Sequence, residues 1–297
     1  MMKKRVILNY ASAFGLPSER PDAGLALIHL LESEHIQLDA ILISGSAADL
    51  PRISAALGWL LKFSGRTDIR VFGSCAPADE AAAGRAEQSA ADSLKSYLDD
   101  TREAEGKPVL LDLGEPSALI LTVEKMQKLS DYFTEIVFWT PQPHPSQRRG
   151  LSLPHGSLQD EALRTLYMDS DCILTMFGEE PGYQTPLDID ELVTIRNFSR
   201  PLYYLLKDYL LCTAVSEGRG GGQDFLFRLP AAVYLTNPEL FYIKKKMMRP
   251  ELNQESGFSF SDDGRAVMLC EYISDIKEYN RSLQAIWKSW HGQGGAR

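Results

Sequence analysis

Concentrated positive charge is what this chain has least of. Thirty-one Lys and Arg stand against 40 Asp and Glu, for a formal charge of −9 and a pI near 5.2. Gripping a phosphate backbone requires clustered Lys and Arg, so nucleic-acid binding is excluded as the main activity. The basic run Lys244-Lys245-Lys246 falls within a strand-like segment and reads as a solvated edge. No apolar run approaches the roughly 18 residues that a membrane span needs. No signal-peptide pattern is present either, because Met1-Met-Lys-Lys-Arg5 leads directly into a short strand. The four cysteines, Cys75, Cys172, Cys212 and Cys270, are far apart and lack paired metal spacing. They read as reduced core residues of a cytoplasmic protein. Internal repeats and convincing linkers are also missing, so residues 1–297 read as one domain. The glycine-rich patch from Glu217 to Gly222 reads as a loop.

What is present is alternation. With 44% apolar residues the chain can build a sizeable core. Strand-like runs at 5–9, 38–44, 69–73, 108–113, 135–140 and 172–177 are separated by helical patterns such as Ala90, Ala91, Leu94, Tyr97 and Leu98. Such alternation predicts an α/β fold with a mainly parallel central sheet flanked by helices. The last third changes character: runs at 241–248, 258–260 and 265–271, joined by turns, predict a small antiparallel C-terminal addition. A stripe of Ile273, Ile276, Leu283, Ile286, Trp287 and Trp290 predicts a closing helix.

The first strand, Val6 to Leu8, ends in a polar loop, and Pro21-Asp22 then opens the apolar-periodic stretch from Leu25 to Leu31. A strand–loop–helix junction of this kind is where α/β proteins place their sites. The segment resembles the amino terminus of inosine-uridine nucleoside hydrolases, in which the strand runs into an aspartate cluster that holds calcium. Further similarities follow in order: Ile43-Ser-Gly-Ser46, Phe63 to Gly73, Gly114-Glu-Pro-Ser-Ala-Leu119, and Ala231 to Phe241 with its ending Asn-Pro-Glu-Leu-Phe. They span about Arg5 to Trp287. The resemblance implies that family's fold, N-glycosidic hydrolysis assisted by calcium and an aspartate base, and a homodimer or homotetramer.

Residue by residue, the resemblance also implies that this chemistry is dismantled. Asn9 and Ala11 stand where the first two aspartates would be, and of the closing Asp-Asp pair only Asp22 remains, followed by Ala23. Ser46 replaces the asparagine that grips ribose. Phe227 and Arg228 fall on the late His-Asp pair, and Asp224 matches only if the loop shifts by about one helical turn. A hard cation wants several oxygens, more than one of them a carboxylate, so the expected cofactor is none.

The candidate residues also have plain readings. Asp22 is a ligand group or a helix-start carboxylate stabilised by the dipole. Asn9 is a sugar contact or a turn cap. Trp139, ending a strand, could stack on a base, and a buried aromatic accounts for it more simply. His144 and His155, in loops near proline, read as exposed rather than catalytic. Gly218 and Gly220 to Gly222 lack the residues of a phosphate loop. Because a buried carboxylate is costly unless paired, we expect Arg228 or Arg20 to form an ion pair with Asp22. Such a pair would supply the counter-charge calcium gives in the family and plug that end of the cleft.

Three functions fit. The chain is a pseudoenzyme binding a nucleoside or ribose-like ligand without calcium, a working N-ribosyl hydrolase rebuilt on Asp22, Asp224 or Glu19, or a protein-interaction module with a closed cleft. The census of lost groups favours the first and third.

Overall fold

The structure, a computed structural model, describes residues 3–46, 48–73, 80–126, 128–140, 167–216, 224–250 and 258–290. His144, His155 and the 217–222 patch lie outside them.

The strands of the central sheet are β1 (Lys4–Tyr10), β2 (Ile36–Ile43), β3 (Arg70–Phe72), β4 (Val109–Asp112), β5 (Glu135–Trp139), β6 (Ile173–Phe177), β9 (Phe241–Pro250), β10 (Phe258–Phe260) and β11 (Arg265–Ile273). Their order is β10-β9-β11-β6-β5-β4-β1-β2-β3. From β3 to β11 every neighbouring pair is parallel. The expected parallel neighbours β1, β2 and β4 are therefore found. β1 and β4 are apolar on both faces, as a sheet covered by helices on each side requires.

The antiparallel C-terminal addition is found. β9 pairs antiparallel with both β10 and β11, and β11 joins β6 in parallel, so the addition extends the main sheet. A separate two-stranded antiparallel sheet, β7 (Pro186–Leu187) with β8 (Asp224–Phe225), was not anticipated. In β9, Lys244 and Lys245 are exposed, as expected of a solvated edge. Cys172 and Cys270 are buried, but Cys212 is exposed, contrary to its reading as a core residue. The closing helix is Ile276–Ser289, and Ile273 ends β11 instead of joining it.

Helix α1 (Asp22–Glu32) packs on one face of the sheet, where Leu25, Leu27 and Ile28 meet Val6, Leu8 and Tyr10. Helices α2 (Leu50–Phe63) and α3 (Glu80–Glu105) follow β2 and β3. Helix α4 (Ser117–Val123) packs on the other face, where Ala118 and Leu119 meet Ile7 and Leu110. Strand order thus reverses between β1 and β4, and the chain leaves these two strands on opposite faces. At such a switch point the carboxyl ends part and leave a crevice.

Candidate functional site

Asn9 and Asp112 are register partners of β1 and β4 at the mouth of this crevice. Asn9 is fully buried, and its Nδ2 donates to Asp112 Oδ1 (2.8 Å) and to the Glu115 carbonyl (3.0 Å). Its Oδ1 accepts from Ser44 Oγ at 2.9 Å, and Ser44 Oγ accepts from the Glu115 amide at 2.9 Å. Tyr167 donates its hydroxyl to Asp112 Oδ2 at 2.8 Å. Burial, reinforced by the Asp112 charge, holds the Tyr167 phenol well above its usual pKa, so it remains a donor. Asn9 therefore stitches three strands together, with both amide hydrogens engaged.

A second group lies on the α1 face. Asp22 begins α1 and is 1% exposed. Its Oδ1 accepts from the Ala23 amide at 2.7 Å, while Oδ2 is buried with no hydrogen-bond donor. Arg228 Nη1 lies 3.8 Å from Oδ1, an ion pair beyond hydrogen-bond length. The Tyr10 hydroxyl and Ser12 Oγ are likewise buried; they face one another and have no further hydrogen-bond partner among the described residues. Burial raises the Tyr10 pKa against the Ser12 hydroxyl beside it, and the charges of Glu19 and Asp22 push it up further against Arg228. Tyr10, Asp22 and Arg228 thus form one electrostatic unit.

Arg20, the other expected partner of Asp22, goes elsewhere. Its Nη2 reaches Asp224 Oδ1 at 2.6 Å and the Phe225 carbonyl at 3.1 Å, and its guanidinium lies 5.6 Å over the Phe227 ring. Tyr209 donates to Asp224 Oδ2 at 2.5 Å. Burial raises the Asp224 pKa, while Arg20, Tyr209 and the Phe225 amide oppose the rise. Asp224 therefore comes to the crevice already bound. Trp139 is 1% exposed and packs on Phe227 at 5.8 Å, which is the buried-aromatic reading. Its Nε1, and Oγ1 of the next residue Thr140, are buried without partners.

The loop between β1 and α1 is tied down on both flanks. On one side Arg20 reaches Asp224. On the other, Arg52 of α2 meets Glu19 at 3.1 Å and Asp49 at 3.4 Å. Ser46 belongs to this outer tie. It is exposed and donates to Asp49 Oδ2 at 2.6 Å, so it shapes the turn into α2 instead of facing the crevice, and Ser44, two residues earlier, is the inward hydroxyl.

Sequence reasoning singled out Asn9, Asp22, Asp224, Trp139 and Arg228, and the structure gathers them at one end of the sheet. It missed Tyr10, Ser12, Ser44, Asp112, Thr140, Tyr167 and Tyr209. Tyr10 and Ser12 flank positions already in view, and strand alternation from Leu8 places Tyr10 on the α1 face. Chemically, the α1 face offers hydroxyl and indole donors beside one carboxylate oxygen without a donor. That inventory suits an uncharged, hydroxyl-bearing ligand.

No protein-family model and no curated protein matches the sequence. Solved structures do. An inosine-uridine preferring nucleoside hydrolase from Bacillus anthracis aligns with TM-score 0.70 and 15% identity, over 96% of this chain and 99% of that one. A purine-preferring ribonucleoside hydrolase from Gardnerella vaginalis aligns with TM-score 0.74 and 14% identity, over 97% and 99%. A plant nucleoside hydrolase aligns with TM-score 0.72 and 15% identity, over 96% and 99%. With its reversed strand order at β1 and β4 and these near-complete superpositions, the chain has the fold of the nucleoside hydrolases.

Proposed function

We propose that this protein binds a nucleoside or ribose-like ligand in the β1/β4 crevice without calcium and without appreciable hydrolysis. The observation that carries the reading is a cluster of buried polar atoms: Asp22 Oδ2, Trp139 Nε1 and Thr140 Oγ1 have no hydrogen-bond partner among the described residues, and the Tyr10 and Ser12 hydroxyls have none beyond each other. Buried polar groups are ordinarily satisfied, and a cluster left open at a switch point is filled by a polar ligand or its water.

The donor set does not fit a calcium ion. Such an ion takes about six to eight oxygens. Here the Asn9 amide is committed, Ala11 and Ala23 offer no side-chain oxygen, and Asp224 is held by Arg20. A guanidinium stands 3.8 Å from Asp22, and both Asp112 oxygens already accept hydrogen bonds, from Asn9 and Tyr167. The expected plug is present in part. Because it leaves Asp22 Oδ2 without a donor, ligand binding is favoured over a closed interaction module.

Calorimetry with inosine and uridine, run in EDTA and again in calcium, tests this alongside chromatography for free base. We expect equal affinity in both buffers, weakened binding in Asp22→Asn, and no free base. Calcium-dependent binding would overturn the reading. Metal-independent turnover near about 1 per second, lost in Asp22→Ala, would promote the rebuilt-hydrolase alternative.

A further inference from the structure

The opposite end of the strands holds a cavity that the crevice does not explain. At the amino-terminal ends of β1, β4, β5 and β6, a space of about 640 Å³ is lined by Lys3, Lys4, Arg5, Lys107, Glu135 and Ile173, among others. In a chain of net charge −9, this is a local concentration of positive charge.

The charges in the cavity do not cancel. Arg5 is held by Asp39 at 2.5 Å, with side chains 8% and 2% exposed, so that pair is internal. Glu135 is the one acidic residue among those lining the cavity, and its Oε1 is engaged by hydroxyls. That oxygen accepts from Thr175 and, at 3.1 Å, from Tyr234. No ion pair within 4 Å joins it to a lysine among the described residues. The Lys4 ammonium lies 6.0 Å over the Tyr234 ring. Lys107 donates to the Ser130 carbonyl at 2.5 Å, which leaves two of its three hydrogens. Lys3 makes no hydrogen bond or ion pair with the described residues. Even with Glu135 counted against one lysine, two ammonium charges have no counter-ion among the described residues.

One wall is apolar. Ile173 is 59% exposed, an unusual state for isoleucine at the start of an interior strand, and Val109 lines the cavity with it. We propose that this end binds a small organic phosphate, its dianionic group among Lys3, Lys4 and Lys107 and its organic part against Ile173 and Val109. A dianion matches the excess charge, and lysine ammoniums bind phosphate as point charges. The apolar wall selects an ester over the free anion.

The test is calorimetry on the full chain with phenyl phosphate and with inorganic phosphate. The expected result is one saturable site, about tenfold tighter for phenyl phosphate because a buried ring adds affinity. The Lys3→Ala/Lys4→Ala/Lys107→Ala variant should weaken it by about tenfold or more through lost charge-assisted bonds. The single Lys3→Ala change, at an exposed position, gives a smaller loss in the same direction if the triple variant folds poorly. Lys245→Ala, on β9, serves as the unchanged control. Absence of saturable binding, equal affinity for both phosphates, or affinity unchanged in the lysine variants would overturn the site. Nucleoside binding in the crevice should be unaffected by these lysine variants, so the two sites stand or fall separately.

Discussion

Asn9 Nδ2 donates to Asp112 Oδ1 at 2.8 Å, across register partners on two parallel strands that part at this point. The bond fixes why an asparagine sits here. An amide can donate to Asp112 and Glu115 while accepting from Ser44, whereas an ionised aspartate can only accept. The Asn9→Asp variant would set two buried carboxylates against one another. It should lose about 3 kcal/mol at neutral pH and recover part of it on acidification, when one carboxyl takes a proton. Urea midpoints compared at neutral and mildly acid pH check the size and direction.

The Arg20–Asp224–Tyr209 cluster makes a related prediction. Removing one partner of a largely buried pair leaves an uncompensated charge, so Arg20→Ala should cost about 3 kcal/mol, whereas Arg20→Met with Asp224→Leu should be close to neutral. The same denaturation series decides it. Equal losses in the single and double variants would show that Arg20 matters by packing on Phe227 rather than by charge.

These two clusters also mark the boundary of what the sequence discloses. The parallel strands were legible because Val6 with Ile7, and Leu110 with Leu111, put apolar side chains on both faces, which needs no partner to be known. The Arg228–Asp22 pair followed from the cost of burying a lone carboxylate. The role of Asn9 was hidden because its partners stand 35 and 103 residues away, and Arg20 meets Asp224 across 204. β11 reads as half of a hairpin with β9, which it is, but its parallel pairing with β6 leaves no local signature. Ser46 and Ser44 are separated by one residue, and only the direction of the chain after β2 decides which hydroxyl turns inward.

The loop between β1 and α1 rests on α1 through Gly24. A Cβ at this position would overlap the Phe14 side chain, which is itself 3% exposed. Gly24→Ala should therefore displace the loop despite alanine's better helix propensity, at a net cost of about 1–3 kcal/mol. The crevice ligand should bind more weakly as well. If Gly24→Ala costs as much in a Phe14→Ala background as in the native chain, overlap with Phe14 is not the cause.

His29 sets the pH dependence of the fold. It is fully buried in α1, its Nε2 lies 2.9 Å from Thr236 Oγ1, and its Nδ1 has no hydrogen-bond partner. Burial lowers its pKa to about 3. The unfolded chain binds a proton at His29 once pH falls below about 6.5, while the folded chain stays neutral there. Protonation thus favours the unfolded state, and stability should fall by about 1.4 kcal/mol per pH unit from pH 6.5 toward 3. Asp224, whose folded pKa is raised, contributes in the opposite direction where it titrates, so the observed slope should flatten at the acid end. The His29→Leu variant removes the titrating group and should flatten the slope between pH 6.5 and 5. A slope unchanged by that substitution, read from urea midpoints at half-unit steps, would place the acid sensitivity elsewhere.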